Sequence, residues 1–334
     1  MKKRLCCLLS LLLCVSFCVP MLSCAPENNV SRTYYTMDTF ITVTLYADAD
    51  TGERLLDACG TILSELNSLW SRTEEESDVS ALNTANGMAC TMDARTVSLL
   101  QTAVEVSQRT GGAFDVTILP IVTLWQECEK AGRLPTDAEL EHARSLVGYD
   151  RITLTSASSA SVPSDMGIDL GGIGKGAAIS VLIEYLREHD ARGVVSFGSN
   201  VAVLGEKPTG EAYRIALRDP HDASAYAGIL SMTDGEILSV SGDYERYYTI
   251  DGARYHHILD PKTGYPAATG LSSVAVVCRD GALADALSTA LFVMGEEAAL
   301  AFHQSGTYNF EAVFIRTDGS LRITEGLAAR FTEQ

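Results

Sequence analysis

The sequence predicts an α+β fold: a largely antiparallel sheet with helices packed on it. Three observations predict it. Short alternating runs rich in Val, Ile, Thr and Tyr recur through the second half of the chain, as half-buried strands require. Two connections carry Asp-Gly, at Asp251-Gly252 and Asp318-Gly319, the dipeptide that closes tight hairpins. Helical patterns are interspersed without a regular strand–helix–strand repeat, which argues against a doubly wound parallel sheet. A chain of 334 residues is ample for one large core, and no internal repeat or low-complexity segment divides it.

The chain opens on a secretory leader. Lys2, Lys3 and Arg4 precede an apolar run over residues 5–19, followed by Met21-Leu22-Ser23-Cys24. This is the form of a signal over residues 1–23 ending in a lipobox, with Cys24 as the lipidation site. Residues 24–33 are polar and read as a tether, leaving residues 34–334 as a single domain. Net charge is −18, and loss of the basic leader makes the body more acidic still. Such a surface repels nucleic acid and anionic headgroups, so no nucleic-acid partner is expected. No later apolar run approaches a membrane span, which places the body outside the cytoplasmic membrane, held by lipid alone. Of nine cysteines, Cys59, Cys90, Cys128 and Cys278 are scattered beyond Cys24 with no C-x-x-C. They are expected as buried thiols or at most one stray disulfide, not a metal site.

Residues 34–46 alternate and read as one strand containing Met37-Asp38-Thr39. Residues 52–69 are helical, with Leu55, Leu56, Cys59, Ile62, Leu63 and Leu66 on one stripe. Trp70 and an acidic loop follow. Residues 97–109 form a helix stopped by Gly111-Gly112, ahead of Ala113, Phe114 and Asp115, and a strand is expected at 151–155. The run D-L-G-G-I-G-K-G-A-A at 169–178 is a glycine turn opening a helix. Glycines admit close backbone approach and a helix N-terminus favours negative charge. With Lys175 added, the expectation is a phosphate or pyrophosphate site, set against the plainer reading of a turn packing a helix on a sheet. It is not a Walker A loop, because Asp169 stands where that motif needs Gly and Gly176 where it needs Ser or Thr. Nor is it a dinucleotide fingerprint, since the next strand ends in Gly198-Ser199-Asn200 without an acid. Strands are then expected at 193–197, 201–204, 213–218, 228–232, 246–250, 254–259, 271–278, 309–316 and 321–324, with a helix at 282–294.

That last helix carries Asp285 and Thr289 four residues apart, hence on one face, among apolar neighbours. A carboxylate beside an apolar face needs a partner or a metal, and Asp with Thr oxygens suits Mg²⁺. Backbone bonding by Asp285 is the equal alternative. His257 alone reads as a hydrogen-bonded strand histidine, Trp70 and Phe114 as core, and Asp243 and Glu245 beside Arg246 as a solvated ion-pair face.

In combination the motifs point further. M-D-T at Met37, S-D-V-S-A-L-N at Ser77, G-A-F-D at Gly112, D-L-G-G-I-G-K-G at Asp169, S-G-D-Y at Ser241, H-H-I-L-D-P-K-T-G-Y-P at His256 and A-D-A-L-S-T-A at Ala284 occur in that order. The set resembles the ApbE-type FAD:protein FMN transferases, a family of bacterial extracytoplasmic lipoproteins, over residues 34–330. The resemblance implies an ApbE-like (T-fold-like) domain with an FAD cleft between two lobes. It implies cleavage of FAD and transfer of FMN to a Ser or Thr hydroxyl of an acceptor flavoprotein, such as a membrane redox-complex subunit or a secreted flavoprotein, with release of AMP. By the same resemblance, Asp285, Thr289 and the main-chain oxygen of Gly172 hold Mg²⁺. FAD meets Met37, Trp70, Ala113, Phe114, Asp115, Asp169, Lys175 and Leu259, and His257 and Asp285 are the candidate bases. Competing readings are a Mg²⁺-dependent FAD pyrophosphatase and a non-catalytic FAD-binding lipoprotein.

Overall fold

The computed structural model describes residues 29–334; the leader and Cys24 lie outside them. The first two strands, β1 (Val30–Thr36) and β2 (Thr39–Leu45), form a hairpin. The single strand expected over residues 34–46 is therefore two, and residues 30–33, assigned to the tether, are the start of β1. The reversal went unseen because its turn residues are not glycine: Met37 and Asp38 take φ of 50° and 56°. Two long-range bonds hold this turn, from Met37 N–H to Asn67 Oδ1 (3.2 Å) and from Arg246 Nη2 to the Asp38 carbonyl (3.2 Å).

Helix α1 (Ala49–Trp70) is capped by Asp48, whose carboxylate accepts from Thr51 N–H, and buries Leu55, Leu56, Cys59, Leu63, Leu66 and Trp70. Then come α2 (Asp78–Thr84), β3 (Cys90–Thr91), α3 (Ala94–Arg109), α4 (Leu119–Lys130), α5 (Asp137–Ser145), β4 (Thr153–Ser156) and β5 (Ser159–Ser161). Helix α6 (Gly174–Glu188) follows the glycine turn, and β6 (Gly193–Phe197), β7 (Asn200–Leu204), β8 (Tyr213–Arg218), β9 (Tyr226–Met232) and β10 (Ile237–Gly242) follow it. The hairpin β11 (Tyr247–Ile250)–β12 (Ala253–His256) turns at Asp251-Gly252 as expected, but β12 ends at His256, so 257–259 leave the strand. The rest is β13 (Leu271–Cys278), α7 (Gly281–Met294), α8 (Glu296–Gln304), β14 (Glu311–Arg316), β15 (Leu321–Ile323), α9 (Glu325–Ala328) and β16 (Phe331–Glu333).

The predicted α+β class holds. An eight-stranded sheet runs β1-β2-β6-β7-β10-β13-β14-β15, and every neighbouring pair is antiparallel. β13 shows why its sequence is continuously apolar rather than alternating: both faces are covered. Val274, Val276 and Cys278 enter the helical core with α6 and α7, while Ala275 and Val277 pack against the three-stranded sheet β16-β9-β8. A third, small core joins α4 to the β11–β12 hairpin around Trp125. Its ring lies 5.4–5.6 Å from Tyr248, Tyr255 and Tyr265, and its indole N–H donates to the Gly264 carbonyl at 2.7 Å. The four described cysteines are free thiols; Cys59, Cys128 and Cys278 are buried. No described helix is long and apolar enough to cross a membrane.

Candidate functional site

A cleft of about 660 Å³ opens between the main helical core and the small Trp125 core. Twelve residues singled out from the sequence line it: Met37, Trp70, Ala113, Phe114, Asp115, Asp169, Gly172, Lys175, His257, Leu259, Asp285 and Thr289. They come from six separated segments, and the fold gathers all of them.

The floor is the junction of α6 and α7. The glycine turn does not work as its sequence implied. None of Gly171, Gly172, Gly174 or Gly176 has positive φ, and four amides of the turn bond within the protein. Gly171 N–H meets Asp169 Oδ1, Ile173 and Gly174 N–H meet the Leu170 carbonyl, and Gly176 N–H meets Asp285 Oδ2 at 2.9 Å. The close approach that Gly176 permits is to α7: a Cβ there would lie 1.9 Å from the Gly281 carbonyl oxygen. Helix α6 has no side-chain N-cap of its own. Asp285, arriving from α7, supplies the anion that a bare helix N-terminus favours.

Asp285 is 3% exposed. Besides Gly176 N–H, it is 3.0 Å from Ser239 Oγ, and Lys175 Nζ stands 3.8 Å from Oδ1. Lys175 also donates to the Gly171 carbonyl at 2.8 Å. Thr289 lies one turn on, and a Cβ built on Gly172 would be 3.5 Å from its Oγ1. The turn and the α7 face thus meet, and the carboxylate, the hydroxyl and the main-chain carbonyls that this junction offers are hard oxygen donors of the kind that suit Mg²⁺. Among the described residues no cluster of three or more His, Cys, Asp or Glu could hold a metal.

His257 N–H and Nδ1 both meet the Arg246 carbonyl, at 3.1 and 2.9 Å. A ring nitrogen facing a carbonyl must carry the proton, so Nε2 keeps the lone pair. His257 is exposed at the cleft yet crowded by its walls. That crowding pushes its pKa down to about 4; the Arg246 carbonyl opposes the shift, and the Lys175 and Arg246 cations add to it, as does His256 when protonated.

Other expected contacts are placed but committed elsewhere. Both Asp115 oxygens are engaged, Oδ1 accepting from Thr117 N–H and Oγ1 (2.8 and 2.6 Å) in its own loop and Oδ2 from Tyr149 N–H (2.9 Å) in the segment after α5. Burial pushes its carboxyl up against these bonds. Asp169 pairs with Arg72 at 3.0 Å. Trp70 and Phe114 are buried, as their core reading expected, and each also forms part of the cleft wall. The solvated ion-pair face is not formed. Asp243 is half-buried with its carboxyl pushed up by burial, Glu245 lines the cleft, and Arg246 turns to the Asp38 carbonyl. Sequence reading missed Arg72, Asn200 and Ser239, and gave no role to Ser241 and Ser288 although both lie in the quoted motifs. β10 itself was not recognised, and serines two apart on a strand ordinarily signal a solvent face.

The chain is similar to known proteins over most of its length. The family model described as "ApbE family" matches residues 37–314. An FAD:protein FMN transferase of Treponema pallidum is 30% identical over 92% of this chain and 90% of its own length. An ApbE protein structure from Thermotoga maritima superposes with a TM-score of 0.82 at 30% identity, covering 92% of this chain and all of that one. The apo flavinyl transferase ApbE of Pseudomonas stutzeri gives 0.79 at 28% identity, over 91% of this chain and 97% of its own. With a family match across most of the chain and a shared fold throughout, this protein belongs to the ApbE family.

Proposed function

We propose that this chain is a flavin transferase that moves FMN from FAD to a Ser or Thr hydroxyl of an acceptor protein, releasing AMP. The observation that carries the reading is the junction of the α7 pair Asp285/Thr289 with the glycine turn and Lys175 in one cleft. The relatives' printed names support the reaction class.

The oxygen donors fit Mg²⁺: the Asp285 carboxylate, the Thr289 hydroxyl and the Gly172 carbonyl would hold it. Bound there, the ion would neutralise charge on the diphosphate of FAD and on departing AMP. Lys175 adds a fixed positive charge beside it. In the transfer, the acceptor oxygen bonds to the phosphorus of the FMN half. The phosphorus–oxygen bond to AMP breaks, AMP keeps the electron pair, and the hydroxyl proton goes to a base. Asp285 is given to the metal, whereas His257 Nε2 keeps a free lone pair at the cleft, so His257 is the base we assign. The remaining cleft residues hold FAD between the main core and the Trp125 core. Lipid on Cys24 would keep the body on the extracytoplasmic face of the membrane; labelling with radioactive palmitate that survives Cys24→Ala would contradict it.

The experiment is intact-mass analysis of candidate secreted flavoproteins incubated with enzyme, FAD and Mg²⁺, with AMP quantified. An FMN-sized mass gain with matching AMP is expected. AMP and free FMN without mass gain would instead mark a pyrophosphatase, with water in place of the acceptor hydroxyl. Intact FAD would mark a carrier.

A further inference from the structure

Strand β10 carries Ser239 and Ser241 on one face, because side chains two apart in a strand point the same way. That face looks onto α7. Buried hydroxyls must be hydrogen-bonded, and counting their protons assigns each bond a direction.

Ser288 Oγ donates to the Asp285 carbonyl at 2.8 Å. Its proton is used, so at 2.8 Å it accepts from Ser241 Oγ. Ser241 has then used its own proton and accepts from Thr289 Oγ1 at 3.2 Å. The Thr289 proton therefore points into the sheet, and its lone pairs are left for the cleft side, where Gly172 stands.

A second row meets Asp285. Ser239 Oγ lies 2.8 Å from the Asn200 amide oxygen and 3.0 Å from Asp285 Oδ1, but one hydroxyl proton cannot serve two acceptors. Asn200 is fully buried, and its Nδ2 has no partner among the described residues. An amide looks alike in its two orientations. Turned over, Asn200 donates N–H to Ser239 Oγ, and Ser239 gives its proton to Asp285. The chain of donation is then Asn200 to Ser239 to Asp285.

We infer that Asn200, Ser239 and Ser241 are positioning residues. They hold the two α7 side chains with the correct lone pairs presented to a cation. The inference rests on the Mg²⁺ reading above. Outer partners of metal ligands typically change metal affinity by about 10–100-fold when removed.

The test is Mg²⁺ titration calorimetry in the presence of FAD, with melting curves in EDTA and in Mg²⁺, on wild type, Ser239→Ala, Ser241→Ala and Ser241→Thr. Wild type that takes up no Mg²⁺ would overturn the reading beneath this one. If wild type binds, Ser239→Ala and Ser241→Ala are each expected to weaken Mg²⁺ about 10–100-fold and to lose the Mg²⁺-induced rise in melting temperature while still melting cooperatively in EDTA. Ser241→Thr, which keeps the hydroxyl, should stay close to wild type. Wild-type Mg²⁺ affinity in both alanine variants, or equal loss in Ser241→Ala and Ser241→Thr, overturns the inference. Should Ser239→Ala not fold in EDTA, the Ser241 pair decides alone.

Discussion

His257 shows how one residue's chemistry is set by what surrounds it. Its type predicts titration near 6.5, whereas the walls around it lower the folded value to about 4. The neutral ring is favoured in the folded state, so its contribution to stability is complete above about 6.5 and is lost as pH falls toward about 4. For catalysis, the acid limb of kcat/KM for FAD should fall below pH 6.5. His257→Gln should remove that limb and lower the plateau by about 100-fold, within the range a general base supplies. A wild-type limb above pH 7, or a limb surviving in the variant, would exclude His257 as the base. Asp285→Asn keeps an acceptor for Gly176 N–H but loses the charge. Transfer should drop at least about 100-fold with the cooperative melt retained, measured as AMP release at saturating FAD.

The α6–α7 contact decides where the cleft floor lies, and two of its glycines are not equivalent. A Cβ at Gly176 would meet backbone at 1.9 Å, whereas one at Gly172 meets Phe114 Cε2 at 3.2 Å and Thr289 Oγ1 at 3.5 Å. Backbone cannot step aside as a side chain can. Gly176→Ala should therefore cost about 3 kcal/mol or more, while Gly172→Ala should cost about 1 kcal/mol or less, both read from urea denaturation. Equal costs would mean that the helices do not touch at Gly176. Helix identity along α1, α3, α6 and α7 was legible from apolar spacing, with glycine stops after α3 and α7 and a glycine turn opening α6. α2, α4 and α5 were not, being short and polar or entered through Pro and Thr caps that follow loop-like sequence.

At the scale of the molecule, a net charge of −18 means that the folded body repels itself. Added salt screens that repulsion within a Debye length of about 10 Å at 0.1 M. Melting temperature at pH 7 should therefore rise between about 10 mM and about 200 mM NaCl; a fall would show that screened ion pairs such as Arg32 with Glu53 and Asp57 dominate instead. The antiparallel class and the positions of most strands could be read from residue patterns, because periodicity is a property of neighbouring residues; Lys175, Asp285 and Thr289 stood out by residue type and spacing, and the other cleft residues were named by what the resemblance to a family implies. The β1–β2 turn, the Asp285–Gly176 bond, the serine rows behind Asp285 and Thr289, and the lowered pKa of His257 could not be read in either way. Each depends on groups far apart in the chain, 109 residues for Gly176 and Asp285, whose proximity exists only once two helices and a central strand have packed.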